Sequence, residues 1–111
     1  MRPFLTLHDP GTARSYYDQG LWKADTFYSL LAGHAERSPA DKALRDGRNW
    51  LDWATLKARV DAMADDLAER NIVAGDRVSI WMSNRIEAVI AFLACAREGI
   101  ACNPSLHRSY T

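Results

Sequence analysis

The stretch from Val73 to Asn103 restricts the folds open to this chain more than any other. Gly75-Asp76 is a turn signal, and Val78, Ile80, Trp81 and Met82 follow it as a run that is apolar on both alternating faces. A strand apolar on both faces is one covered from both sides, which points to a parallel sheet. Ser83-Asn84 then offers an N-cap, Glu87 stands three residues past Asn84 as in a capping box, and Gly99 lies where a helix ends in a left-handed residue. A second strand runs from about Gly99 to Asn103. Parallel pairing needs a crossover of about a dozen residues or more, and residues 83–99 are enough. Such crossovers are almost always right-handed. The unit reads as strand–helix–strand, with the rest of the chain packed on it.

Upstream, residues 1–24 read as an arm with little periodicity, broken by Pro3, Pro10, Gly11 and Gly20 but carrying Tyr16, Tyr17, Leu21 and Trp22. Those aromatic side chains either cover a core edge or meet a neighbouring domain or subunit. Asp25 is expected to cap a helix from Thr26 to about Arg37, with Phe27, Leu30, Leu31 and Ala35 on one stripe and Pro39 ending it. Lys42–Asp46 and Arg48–Asp52 flank Gly47 and predict an antiparallel hairpin turning at Asp46-Gly47. Asp52 is expected to cap a helix over Trp53–Arg70, whose Leu56, Val60, Met63 and Leu67 recur at spacings of four, three and four. Lys57, Arg59, Asp61, Asp65, Asp66 and Glu69 form its solvated face, and Asn71 follows as a left-handed cap. The order is arm, then helix–hairpin–helix–strand–helix–strand, an α/β chain with residues 25–111 as its folded part and no internal repeat.

Size and charge exclude several functions. A chain of 111 residues, 48% hydrophobic, can bury a core as one domain. Lys plus Arg and Asp plus Glu both number 14, and no basic stripe tracks a phosphate backbone, so nucleic acid is not an expected partner. The opening residues lack a signal-peptide h-region. The longest apolar run, Ala88 to Ala96, falls far short of the roughly 20 residues that span a bilayer. Cys95 and Cys102 read as small buried hydrophobes of a reducing, cytoplasmic compartment rather than as a disulfide or metal pair.

No motif for chemistry stands out. There is no Gly-x-Gly-x-x-Gly, no Gly-x-x-x-x-Gly-Lys-Ser/Thr and no Gly-x-Ser-x-Gly, so no loop of backbone amides cradles a phosphate. His8, His34 and His107 lack ligand spacing with each other or with the cysteines, and no metal site is expected. Asp65-Asp66 point about 100° apart on a helix and do not form a carboxylate pair. Two places hold a choice. Ser83-Asn84 ends the central strand, where open α/β sheets bind ligands, yet capping alone accounts for Asn84. The tail from Asn103 to Thr111 is either a bare loop or, through His107 and Arg108, an anion contact.

Taken together, Leu51-Asp52-Trp53-Ala54-Thr55-Leu56, Ala64-Asp65-Asp66-Leu67, Gly75-Asp76-Arg77-Val78, Ser83-Asn84 and Gly99-Ile100-Ala101-Cys102-Asn103-Pro104 form an ordered set. That set resembles the opening of the adenylate-forming enzymes, the superfamily of acyl-CoA synthetases, aryl-acid ligases and luciferases, from about Tyr16 to Thr111. Tyr16–Trp22 and Asn103–Arg108 are similar to members that activate cyclic or aromatic acids, such as cyclohexanecarboxylate-CoA ligase-like and dihydroxybenzoate-activating enzymes. Asp52-Trp53 stands where the family usually has Thr-Tyr, Asn71 where it has Gly, and Ser83-Asn84 where it has Pro-Asn. The first two substitutions keep the capping logic, since Asp also caps and Asn also tolerates the left-handed region.

The resemblance implies a parent ligase using ATP, Mg2+ and coenzyme A, in which a carboxylic acid becomes an acyl-adenylate and then a thioester. It also implies that the phosphate loop and catalytic lysine lie in chain beyond Thr111. No residue here carries over to a catalytic role, no cofactor or metal residue is assigned, and this portion alone is expected to be inactive with nothing bound. Its partners would then be the rest of its own polypeptide and the acid substrate, with a homodimer expected of the isolated portion. Two alternatives stand beside this reading: a freestanding non-catalytic α/β interaction module, and a small doubly wound nucleotide-binding domain, which the missing glycine loop disfavours.

Overall fold

A computed structural model describes residues 9–105. Its elements in order are α1 (Pro10–Asp18), α2 (Phe27–Arg37), β1 (Lys42–Asp46), β2 (Asn49–Asp52), α3 (Trp53–Glu69), β3 (Arg77–Ile80), α4 (Ile86–Glu98) and β4 (Ala101–Pro104). β3 and β4 pair in parallel, Arg77 opposite Ala101 and Ile80 opposite Pro104, with α4 as the crossover. The expected strand–helix–strand unit is therefore present.

α3 and α4 are the centre of the core. Leu56, Val60, Ala64 and Leu67 line the buried side of α3, and Ile86, Ile90, Ala94 and Cys95 answer from α4. Met63, the remaining member of the predicted stripe, is half-buried against them. Leu31 of α2, Leu51 of β2 and Ile100 complete the cluster. Among the described residues, no helix is long and apolar enough to cross a membrane.

Both long helices end as their sequences indicate. Asn71 adopts φ 59°; its N–H reaches the Ala68 carbonyl at 2.9 Å and the Ile72 N–H reaches Leu67 at 3.0 Å, a Schellman closure with Ile72 packed on the core. Gly99 adopts φ 70°, and the Ile100 N–H reaches the Cys95 carbonyl at 2.9 Å. Asp52 caps α3 as expected, its Oδ1 accepting the Thr55 N–H at 2.7 Å.

Several expectations need correction. Residues 10–18 are not irregular: Asp9 accepts the Gly11 N–H at 3.0 Å and Pro10 sits in the first turn, so α1 forms from its N-cap signal despite lacking an apolar stripe. The N-cap of α2 is Thr26 rather than Asp25, because Thr26 and Ser29 satisfy each other's backbone N–H groups in a capping box. Its inward stripe runs through Tyr28 and Leu31, whereas Phe27 and Leu30 are exposed. The hairpin turns at Gly47-Arg48, since Asp46 pairs with Asn49. Gly47, with φ 52°, takes the first central position, where a type II′ turn needs glycine. β3 is buried on one face only: Val78 and Ile80 point inward, while Trp81 lies beyond the strand and is 74% exposed.

Candidate functional site

The carboxyl end of β3 opens into residues 81–85, the loop that the sequence marked through Ser83-Asn84. Ser83, Asn84 and Arg85 are all exposed there. The predicted capping role of Asn84 does not hold: α4 begins at Ile86, its N-cap is Arg85 with extended backbone, and no side chain of the N-cap bonds to the helix. The cap comes from the hairpin instead. Asp46 Oδ2 accepts the Ile86 N–H at 3.0 Å, while its Oδ1 accepts from Asn49 Nδ2 at 3.2 Å. The Ile86 backbone bond, then Asn49, hold the Asp46 carboxyl below the usual carboxylate range, with the Arg85 charge adding to them. A carboxylate at this end of α4 also meets the positive end of the helix dipole.

That contact sets the Asn84–Arg85 loop beside the Asp46-Gly47 end of the hairpin and leaves a depression of about 330 Å3 between them. Asn84, Arg85, Arg45 and Asp46 supply its polar wall. The loop therefore keeps Asn84 and Ser83 at the mouth of the strand without using either as a cap. Among the described residues, His, Cys, Asp and Glu form no group of three or more able to hold a metal ion. His107 and Arg108, the other candidate ligand contact, lie outside the described residues.

A second polar cluster lies where α2, α3 and α4 meet, and it draws Lys57, Asp61 and Asp65 of the expected solvated face into contacts with Tyr28 and Arg97. The Tyr28 hydroxyl donates to Asp61 Oδ1 at 2.6 Å, and Lys57 Nζ donates to Asp61 Oδ2 at 2.8 Å. Arg97 Nη1 donates to the Asp61 carbonyl and to Asp65 Oδ1, both at 3.1 Å. Burial pushes the Asp61 carboxyl up, but the Lys57 and Tyr28 hydrogen bonds outweigh it and hold the group below its usual value. The spacing of Lys57 and Asp61, four residues apart on one helix, signals the pair; Tyr28 and Arg97 leave no such local mark. Beside this cluster runs a groove of about 480 Å3 floored by Ala32, Ala35, Ala54 and Ala58.

Neither cysteine is suited to nucleophilic attack. Both are free thiols. Burial pushes Cys95 up to about 11, so it is protonated at neutral pH. Among the described residues, the polar groups gathered at the β3 strand end are Asn84, Arg85, Arg45 and Asp46.

Comparison with known proteins adds the family context. The model for the family described as AMP-binding enzyme matches residues 31–110. A salicyl-AMP ligase / salicyl-S-ArCP synthetase of Mycobacterium tuberculosis is 33% identical over 105 residues, covering 87% of this chain and 18% of that protein. Among solved structures, apo MbtA of Mycobacterium smegmatis superposes with a TM-score of 0.81 at 27% identity, over 87% of this chain and 18% of that one. The o-succinylbenzoate coenzyme A synthetase of Bacillus subtilis, in complex with ATP and magnesium, superposes with a TM-score of 0.64 at 29% identity, over 70% of this chain and 21% of that one. The chain thus spans about a fifth of the length of these relatives.

Proposed function

The chain belongs to the AMP-binding enzymes, the adenylate-forming ligases, and on that premise we propose that it is the N-terminal scaffold portion of an ATP-dependent acyl-CoA ligase. In the reaction, the carboxylate of an organic acid attacks the α-phosphate of ATP, with Mg2+ present, and pyrophosphate leaves. The thiol of coenzyme A then attacks the acyl carbonyl and AMP leaves. The observation that carries the reading is the family match across α3, β3, α4 and β4 as one continuous block. The part of this chain in that reaction is positional: α3 and α4 hold the parallel pair, and Asp46 fixes where the 81–85 loop leaves it. A cyclic or aromatic acid suits the salicyl-AMP ligase likeness. A cytoplasmic, reducing location belongs to the same proposal and is supported by Cys95, a thiol buried in the core.

One observation favours a second acceptor. The M. tuberculosis relative is named a salicyl-S-ArCP synthetase, so a carrier-protein thiol stands beside coenzyme A.

The test is to express the complete open reading frame and follow pyrophosphate release with ATP, magnesium and a panel of aliphatic, cyclic and aromatic acids. Acid-dependent release is expected from the complete product and none from the 111-residue chain. Mass spectrometry after adding coenzyme A or a carrier protein identifies the acceptor. A complete product that is silent with every acid would overturn the ligase reading in favour of a non-catalytic module. Release by the 111-residue chain itself would overturn the scaffold role.

A further inference from the structure

The outer face of the β1–β2 hairpin carries an unusual grouping of cations. Trp50 pairs across the strands with Arg45 and leaves 46% of its surface exposed. Lys42 Nζ lies 4.6 Å from the centroid of that ring and the Arg45 guanidinium carbon 5.4 Å. Arg48, in the turn, and Arg59, on α3, border the adjoining depression of about 460 Å3, of which Trp50 is also a wall. Among the described residues, none of these four cations forms an ion pair, whereas Lys57, Arg70 and Arg97 each sit on a carboxylate. Two carboxylates reach the depression, Asp46 and Glu87, and Asp46 is committed to Ile86 and Asn49.

Like charges brought to one ring repel each other, and the ring quadrupole offsets part of that cost. Such a surface retains its charge in the free protein and gains most from a partner that supplies carboxylates. A paired strand backbone and cross-strand packing also hold the hairpin in place, so little order is lost when a partner arrives. We propose that this face, with Lys42 and Arg45 against Trp50 and with Arg48 and Arg59 beside it, is a docking surface for an acidic segment of another protein. Complementary charge at exposed positions steers encounter and selects partners more than it adds affinity, and it weakens with salt.

The probe is a fluorescein-labelled peptide of ten glutamates, with a ten-glutamine peptide as control, titrated into the full chain and read by fluorescence anisotropy. Glutamate-peptide binding that weakens with salt, with no glutamine-peptide binding, is expected. The variant Lys42→Gln/Arg45→Gln should weaken it by about tenfold, while Arg70→Gln, remote and already paired with Asp66, should not. Circular dichroism confirms that each variant is folded. Trp50→Leu gives an independent arm, since it removes the ring and leaves every charge. No binding of the glutamate peptide, equal losses in the Arg70 and hairpin variants, or a duplex DNA oligomer binding as tightly would each overturn the proposal. So would a titration whose only effect is to dissociate a dimer of this chain, which would make a second copy the occupant.

Discussion

The Asp46 carboxylate, at the end of β1, accepts the backbone N–H of Ile86 at 3.0 Å and so caps a helix whose own N-cap residue contributes no side-chain bond. Forty residues separate the two. The bond joins the hairpin to the crossover of the parallel pair and sets the point from which the Asn84–Arg85 loop departs. An orphan N–H in the first turn of α4 is thereby satisfied by tertiary structure in place of local sequence.

Asp46→Ala should lower the urea midpoint, and Asp46→Asn should lower it less at neutral pH because an amide oxygen can still accept. The sign with pH follows from the lowered carboxyl. Its folded value lies below the ordinary 3.8, owing first to the Ile86 N–H and then to Asn49. The stabilisation is therefore complete above the unfolded value and is lost as pH falls through the folded one. Midpoints measured from neutral pH into acid should fall more steeply for the native chain than for Asp46→Asn. Parallel curves would show that the charge adds nothing to the cap.

Leu67→Ala should cost about 2 to 5 kcal/mol, because the side chain lies on the buried stripe of α3 and its removal leaves a cavity. Asp66→Ala, one residue away, should change little, since its ion pair with Arg70 is exposed. Denaturant melts of the two variants compare the faces directly. Equal costs would contradict the burial seen for this helix.

Gly99→Ala should destabilise by about 1 to 2 kcal/mol, since φ is +70° and an added Cβ would stand 3.2 Å from Ala74 Cβ. Asn71→Gly, at φ 59°, relieves the same conformation with no new contact and should be near neutral. Thermal melts rank the pair, and a Gly99 variant as stable as the native chain would mean that the α4 end rearranges at no cost.

Tyr28→Phe should cost about 1 kcal/mol, the net value of a hydrogen bond to a half-buried carboxylate. The Tyr28 hydroxyl is raised above its ordinary value by the Asp61 bond first and by burial second. In an ultraviolet titration, the Tyr28 step should therefore fall above the ordinary tyrosine value, and that late step should disappear in the variant. Its persistence would assign it to another ring.

The chain is expected to self-associate. β3 and β4 pair with no further strand among the described residues, and open strand edges invite pairing. Tyr17 and Trp22 stack edge to face at 5.7 Å yet stay about half exposed on an arm whose helix buries no residue. Light scattering on a size-exclusion column over a tenfold concentration range should show a dimer or larger species. A constant monomer mass throughout would refute it.

Local sequence determined most of the secondary structure, because its signals act within a turn or two. Leu56, Val60 and Leu67 announced the buried side of α3, Asp52 its start, and Asn71 and Gly99 the ends of α3 and α4, all through contacts spanning a few residues. The parallel pair was legible for a similar reason: a bounded helix between two apolar runs leaves few other arrangements. The ordered motifs likewise pointed to the adenylate-forming family. Tertiary structure decided what depends on distant partners. Asn84 and Glu87 offered a sound local cap for α4, yet Asp46 arrives from the hairpin and moves the helix start to Ile86. Trp81 reads as a strand residue by hydropathy but meets no covering layer among the described residues. Asp61 reads as solvated surface until Tyr28 and Arg97 converge on it from two other helices. A periodic pattern records which residues share a face, and only packing decides which face meets which partner.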